Sequence, residues 1–113
     1  MITMYAIPNC DTVKKARAFL DKKKIAYDFI DFKKSPPTKE LILKWKDFFG
    51  ELPANKKGLT YKKFKDEYES LSETNQIKFL IEHSSMIKRP VVEKNGKVVA
   101  IGFDESEYKA WTK

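Results

Sequence analysis

The sequence predicts an α/β fold in which a βαβ unit is followed by helices and then by a ββα unit. Residues 2–32 contain two β-branched, apolar segments on either side of a segment with helical spacing. Residues 38–85 carry apolar side chains at helical spacing, and Asn95-Gly96, the strongest short hairpin signal, separates two apolar segments near the C-terminus. Because 113 residues suit one hydrophobic core, we expect a single domain over residues 1–113 with a helical insertion at about residues 38–85.

The N-terminal elements are expected to form a parallel strand pair. Residues 2–7 are apolar and stop at Pro8-Asn9, which indicates a buried strand. A helix follows from Asp11, and residues 25–32 form a second strand after a short break. Strand, helix and strand with short connections predict a right-handed βαβ unit.

The middle of the chain carries three predicted helices. After a proline-rich turn, Thr38 is a good N-cap for a helix that ends at Gly50. Thr60 is expected to cap a second helix, and Ser72 or Glu73 opens a third that stops near His83.

The C-terminal elements complete the predicted sheet. Residues 90–93 and 97–101 form a hairpin, and Asp104 caps a last helix that reaches Trp111. This order of elements is typical of a thioredoxin-like fold with a mixed four-stranded sheet and a helical insertion.

Composition excludes several classes of function. The net charge of +7 comes from lysines interspersed with acidic residues, which favours solvated helix faces over a nucleic-acid site. No apolar stretch approaches the roughly 20 residues needed to span a bilayer, and the N-terminal segment lacks the features of a signal peptide, so we expect a cytoplasmic protein without a membrane role. We expect a monomer.

The chain has one cysteine and one histidine, which cannot build a tetrahedral metal site, so neither a metal nor a bound cofactor is expected. His83 is interpreted as a surface or capping residue. An intrachain disulfide is impossible, and redox chemistry at Cys10 must use a thiol from another molecule.

Cys10 is the candidate nucleophile. It lies between the first strand and the first helix, where free N–H groups and the helix dipole favour an anion and lower a thiol pKa. The alternative is a small buried hydrophobic residue. The charge of Asp11 opposes thiolate formation if it lies near the sulfur, and less so if Asp11 caps the helix.

Pro90 and Arg89 form the second part of the candidate site. In a thioredoxin-like fold the proline that opens the third strand is usually cis and faces the cysteine loop, which would direct Arg89 toward Cys10. A guanidinium there would stabilise the thiolate or bind a carboxylate or oxyanion with two hydrogen bonds; the alternative for Arg89 is an ordinary surface cation.

Three segments together resemble the ArsC/Spx family over essentially the whole chain. They are residues 8–16 (PNCDTVKKA), 87–92 (IKRPVV) and 101–105 (IGFDE). The first is similar to the N-C-D-T-[IV]-K-K-A hallmark of the YffB-like branch, for which the resemblance implies glutathione-dependent thiol reduction.

The two better-known branches differ from this chain at specific positions. Arsenate reductases of the family hold the oxyanion with three arginines, and glutathione plus glutaredoxin regenerate the thiol; here only Arg89 matches, while Lys57 and Gly102 take the other two places. Spx regulators bind RNA polymerase and carry a C-x-x-C switch, whose second cysteine is Val13 here.

The sequence therefore predicts a glutathione-dependent thiol oxidoreductase with Cys10 and Arg89 as its catalytic residues. Glutathione is the expected co-substrate, with glutaredoxin as a further partner. The predicted substrate-binding residues are Asn9, Asp11, Thr12, Lys57 and Pro90. Two alternatives stay open: an Spx-like regulator that binds a protein such as an RNA polymerase subunit, and an arsenate reductase.

Overall fold

The computed structural model describes residues 1–112, which form four strands and five helices. The strands are β1 Ile2–Ala6, β2 Asp28–Asp31, β3 Val91–Lys94 and β4 Lys97–Ile101. The helices are α1 Asp11–Lys22, α2 Lys39–Phe49, α3 Leu59–Glu69, α4 Glu73–Glu82 and α5 Glu105–Trp111, with a 3₁₀ turn at Ser84–Met86.

The chain divides into two compact units. We call Met1–Ser35 together with the segment from Arg89 onward the sheet unit, and Pro36–Lys88 the helical unit. The interpretation of residues 1–113 as one domain with an insertion at about 38–85 stays a prediction beside these bounds.

The sheet unit contains a four-stranded sheet in the order β2-β1-β3-β4. β1 pairs in parallel with β2 and antiparallel with β3, and β3 pairs antiparallel with β4. The predicted mixed four-stranded sheet is therefore confirmed.

The core of the sheet unit lies between the sheet and helices α1 and α5. Val13, Ala16 and Leu20 recur at helical spacing on α1 and are fully buried. They pack with Met4, Ala6, Val92, Ala100 and Tyr108. Full burial of a side chain such as Leu20 contributes roughly 1.5–3 kcal/mol, so this packing fixes α1 on the sheet.

The second strand is shorter than predicted, because its first residues close the preceding helix. Lys24 adopts a left-handed φ of 59°, and the Ile25 N–H donates to the Leu20 carbonyl at 2.9 Å. The Ile25 N–H is therefore used to close α1 and is not free to pair in the sheet, and β2 begins only at Asp28.

Two of the predicted helix starts in the helical unit are confirmed and one is wrong. Thr38 and Ser72 cap α2 and α4 through their hydroxyl groups. Thr60 is not the cap of α3: Gly58 is, and its carbonyl accepts the first helical hydrogen bond from the Lys62 N–H at 3.1 Å. Gly58 has the extended backbone that a cap needs, so the cap lies two residues before Thr60 and the helix begins at Leu59.

In the sheet unit, Asp104 caps α5 by accepting from the Glu107 N–H at 3.1 Å, as predicted. None of the helices within residues 1–112 is long and apolar enough to cross a bilayer.

Candidate functional site

Cys10 is the N-cap residue of α1. Its backbone is extended (φ −138°, ψ 128°), and its carbonyl accepts the first helical hydrogen bond from the Lys14 N–H at 2.9 Å. The N–H groups at the start of a helix have no intrahelical partner, so those of Thr12 and Val13 are directed toward the cap. As a thiol, the Cys10 side chain makes no capping hydrogen bond. The Thr12 and Val13 amides are therefore available to a thiolate.

The Cys10 thiol is half-buried and packs against the core of the sheet unit. Burial is the largest single influence on its pKa and raises it, but the Val13 amide, the Arg89 guanidinium and the Thr12 amide together outweigh burial and lower the pKa below its ordinary value. Cys10 is therefore not sealed in the interior, and its surroundings favour the thiolate.

Arg89 lies beside the sulfur. Its guanidinium acts on Cys10 both through its charge and as a hydrogen-bond donor, and the side chain is half-buried. The Arg89–Pro90 peptide bond is cis, as predicted, and Pro90 is buried. The interpretation of Arg89 as a surface cation away from Cys10 is therefore wrong.

Asn9, Asp11 and Thr12 surround Cys10 in sequence and have exposed side chains. The option that Asp11 caps α1 is wrong, because Cys10 is the cap and Asp11 is the first helical residue. Thr12 takes part through its backbone amide, which the sequence pattern did not single out. Val13, noted only for the cysteine it lacks, likewise contributes its N–H.

A further pair of residues holds the proline end of the site and was not predicted. The Gly102 N–H donates to the Pro90 carbonyl at 2.8 Å, and the buried Tyr108 hydroxyl donates to the Gly102 carbonyl at 2.9 Å. Gly102 has a φ of 91°, a conformation that favours glycine. The signal that could have found this pair is a tyrosine in a core position, because its buried hydroxyl requires a partner.

Lys57 belongs to the helical unit, where it is exposed in the connection between α2 and α3. It lines a cavity of about 240 Å³ with Asn55, Lys56 and Lys88, whose ammonium lies 5.5 Å from the centre of the Phe49 ring. Glu51 lines the same cavity and forms an ion pair with Lys56 at 2.8 Å, so the lining carries charges of both signs. The assignment of Lys57 to the Cys10 site stays a prediction.

His83 occupies the C-cap of α4 and packs against the rings of Phe64 and Phe79, with centroid distances of 4.8 and 4.4 Å. This position accounts for it as a packing and capping residue. Across residues 1–112, no three His, Cys, Asp or Glu side chains converge in a way that could hold a metal ion.

Comparisons with known proteins agree with this architecture. The sequence model of the ArsC family matches residues 5–111. The solved structure of a YFFB protein is 35% identical, covers 97% of each chain and superposes with a TM-score of 0.85. That of "a possible arsenate reductase" from Streptococcus mutans is also 35% identical, covers 100% of this chain and 98% of that one, and has a TM-score of 0.80.

A curated relative from Streptococcus agalactiae, named "Global transcriptional regulator Spx", is 29% identical over 98% of this chain and 82% of its own length. The α/β, thioredoxin-like fold class and the resemblance carried by the three motifs are both confirmed. The chain belongs to the ArsC family.

Proposed function

We propose that this chain is a glutathione-dependent thiol oxidoreductase in which Cys10 is the nucleophile. The observation that carries the proposal is the half-buried Cys10 thiol, whose pKa is lowered by two α1 amides and by Arg89 despite the opposing effect of burial. The thiolate is the form that attacks disulfides, so a lowered pKa increases the reactive fraction at neutral pH.

The proposed reaction has two thiol–disulfide exchange steps. The Cys10 thiolate attacks the glutathione sulfur of a mixed disulfide, forming a Cys10–glutathione disulfide and releasing the substrate as a thiolate that takes up a proton. A second glutathione thiolate then attacks the glutathione sulfur of that intermediate, and oxidised glutathione leaves as the Cys10 thiolate is restored. Overall, the mixed disulfide and one glutathione thiol give the substrate thiol and oxidised glutathione, so the substrate sulfur is reduced as the incoming glutathione thiol is oxidised.

Arg89 has two roles in this proposal. It stabilises the thiolate before attack and again when Cys10 is the leaving group, and its guanidinium suits the carboxylates of glutathione. Asn9, Thr12 and Pro90 would shape the surface around the sulfur.

The test is the reduction of a glutathione mixed disulfide, coupled to glutathione reductase. Cys10→Ser is expected to lose turnover to the uncatalysed rate, and wild-type protein alkylated at Cys10 is expected to do the same. Ser35→Ala, which removes an exposed hydroxyl from the sheet unit, serves as the matched control and should retain full turnover. Full turnover by Cys10→Ser would refute the proposal.

A regulatory role is the second candidate, favoured by the relative named as a transcriptional regulator. In that role the chain would bind a protein such as an RNA polymerase subunit, and the chemistry of Cys10 would be incidental. The pH dependence of iodoacetamide alkylation separates the two candidates: an apparent thiol pKa at or above the ordinary value of about 8.5 favours the binding protein, and a lower value favours the enzyme.

Arsenate reduction is a third candidate, favoured by the relative described as a possible arsenate reductase. Against it, Gly102 has no side chain and Lys57 is not an arginine, so Arg89 is the one guanidinium among the three oxyanion-binding positions that the family resemblance implies. Arsenate-dependent oxidation of glutathione with glutaredoxin present would support this candidate, and its absence would remove it.

A further inference from the structure

We infer that Tyr108 is a positioning residue for the Cys10 site: its hydroxyl fixes Gly102, which in turn fixes Pro90 and the adjoining Arg89 beside the sulfur. The inference rests on the proposed function, because it assigns a role in the same site. Tyr108 touches no reacting atom in this proposal and acts through the backbone that carries Arg89.

Two hydrogen bonds form the link. The Tyr108 hydroxyl donates to the Gly102 carbonyl at 2.9 Å, and the Gly102 N–H donates to the Pro90 carbonyl at 2.8 Å. Both lie within the normal range, and the first is buried, where water cannot replace it. The phenol therefore adds a fixed point, through Gly102, to the backbone that follows Arg89, which from Val91 onward is also held by pairing with β1 and β4.

The phenol itself is held rigidly. The Tyr108 ring is fully buried and makes edge or tilted contacts with Phe19, Phe103 and Trp111 at centroid distances of 5.8, 4.7 and 5.1 Å. Phe19 belongs to α1, the helix whose first amides lie at Cys10. One side chain thus contacts the helix that supplies the amides and holds the segment that supplies the guanidinium.

The hydroxyl stays a donor under all working conditions. Burial, followed by the charge of Glu107, raises the pKa of Tyr108 well above its usual value, so the phenol remains protonated. Gly102 adopts a φ of 91°, which favours glycine, while its N–H and its carbonyl are both engaged.

The test is the pH profile of Cys10 alkylation in Tyr108→Phe, which keeps the ring and removes the hydroxyl. Alkylation at neutral pH is expected to slow about threefold, with the profile moved to higher pH, because Arg89 is held less closely to the thiolate. Ile2→Ala is the matched control: it removes a side chain packed against the same core, at the end of β1 away from Cys10, and leaves the hydroxyl in place, so its profile should stay where it is. An unchanged profile in Tyr108→Phe, or an equal change in Ile2→Ala, would overturn the inference.

A second arm asks whether Tyr108 acts through Arg89. In an Arg89→Gln background, Tyr108→Phe is expected to cause no further slowing; the same threefold slowing in both backgrounds would contradict the inference. Should Tyr108→Phe fail to fold, amide hydrogen exchange of the wild-type chain gives the answer. The Gly102 N–H should exchange as slowly as the β4 amides, and exchange at the rate of an exposed loop would overturn the inference.

These outcomes are independent of substrate turnover. Loss of the proposed function, through a Cys10→Ser variant with full turnover, would leave the alkylation profiles as predicted here. An unchanged Tyr108→Phe profile would instead remove the role of Tyr108 while the role of Cys10 stood.

Discussion

The first N–H groups of α1 and of α2 lack partners within their helices, and the residues that precede the two helices differ in how they meet this need. At α2 the Thr38 hydroxyl accepts from the Leu41 N–H at 3.2 Å, as a capping side chain normally does. At α1 the equivalent position is Cys10, whose side chain makes no capping hydrogen bond of ordinary geometry. A cap of the first kind contributes about 1 kcal/mol to stability, and α1 does without it.

This difference explains why we place the reactive group at the start of α1. At α2 the Leu41 amide donates to a neutral oxygen that stays in place, whereas at α1 the Thr12 and Val13 amides interact with a sulfur that can become charged. α3 is a third case, because its cap is Gly58, which offers neither a capping side chain nor a thiol. Among these three helix starts, α1 combines a thiol with a nearby guanidinium, that of Arg89.

Replacing Arg89 should produce the largest change. Arg89→Gln removes a charged hydrogen-bond donor from the thiolate, an interaction worth about 1.5 kcal/mol, so alkylation of Cys10 at neutral pH is expected to fall about tenfold. The measurement is the rate of iodoacetamide alkylation across pH. Arg17→Gln is the control, since Arg17 bonds to the Tyr27 hydroxyl at 3.0 Å; an equal fall there would point to a general loss of positive charge.

Removing the side-chain cap of α2 should affect stability without affecting the thiol. Thr38→Ala is expected to lower the free energy of unfolding by about 1 kcal/mol, as measured by urea denaturation, and to leave Cys10 alkylation unchanged. Thr60→Ala provides the contrast, because Thr60 lies inside α3 and does not cap it; a change within about 0.5 kcal/mol is expected. Equal losses for the two threonines would show that capping is not the cause.

The ionisation of Cys10 should make a smaller, pH-dependent contribution to stability. The folded-state pKa of Cys10 is lowered, so between the folded and unfolded pKa values the unfolded chain binds more protons, and the contribution rises with pH. It is fully present above the unfolded pKa and is lost as pH falls through the folded value.

The measurement compares wild type with Cys10→Ser by urea unfolding from about pH 5 to about pH 9.5, so that the titration of all other groups cancels. The stability of wild type relative to the variant should increase across this range. A difference that stays flat or decreases would mean that the thiolate is not stabilised in the folded state.

The order of elements was predictable because each carries its own local signal. Helical spacing predicted α1, and Asn95-Gly96 predicted the β3–β4 hairpin. The errors arose where two residues compete for one role. Ile25 has the apolar, β-branched character of a strand residue but is engaged by the end of α1, and Thr60 is a good cap but yields to Gly58 because the turn places the extended backbone two residues earlier.

The candidate site was predictable only in part, because the sequence indicates residue types and helix starts but not packing between distant elements. Cys10 and Arg89 were found from residue type and motif, and the cis Pro90 from the fold class. Free N–H groups at the start of the first helix were expected as well, and the structure identifies them as those of Thr12 and Val13. The Gly102–Tyr108 hydrogen bond depends on packing between elements distant from Cys10 in sequence, and no local pattern encodes it.

Neutralising Asp11 should have the smallest effect. It should change two properties in opposite directions, lowering the stability of the fold while speeding the alkylation of Cys10. Asp11 is the first residue of α1, where its negative charge complements the helix dipole; Asp11→Asn should lower the free energy of unfolding by roughly 0.3–1 kcal/mol. The same charge lies next in sequence to the thiol, so its removal should speed alkylation, by less than about twofold because exposed charges are screened.

Asp21→Asn on the last turn of α1 is the matched control. A negative charge at that end opposes the dipole, so its loss should leave stability equal or slightly higher and the thiol unchanged. Slower alkylation in Asp11→Asn would mean that Asp11 stabilises the start of α1, and through it the thiolate, by more than its negative charge destabilises the thiolate. In that case the start of α1, rather than Arg89, would be the main source of the reactivity of Cys10.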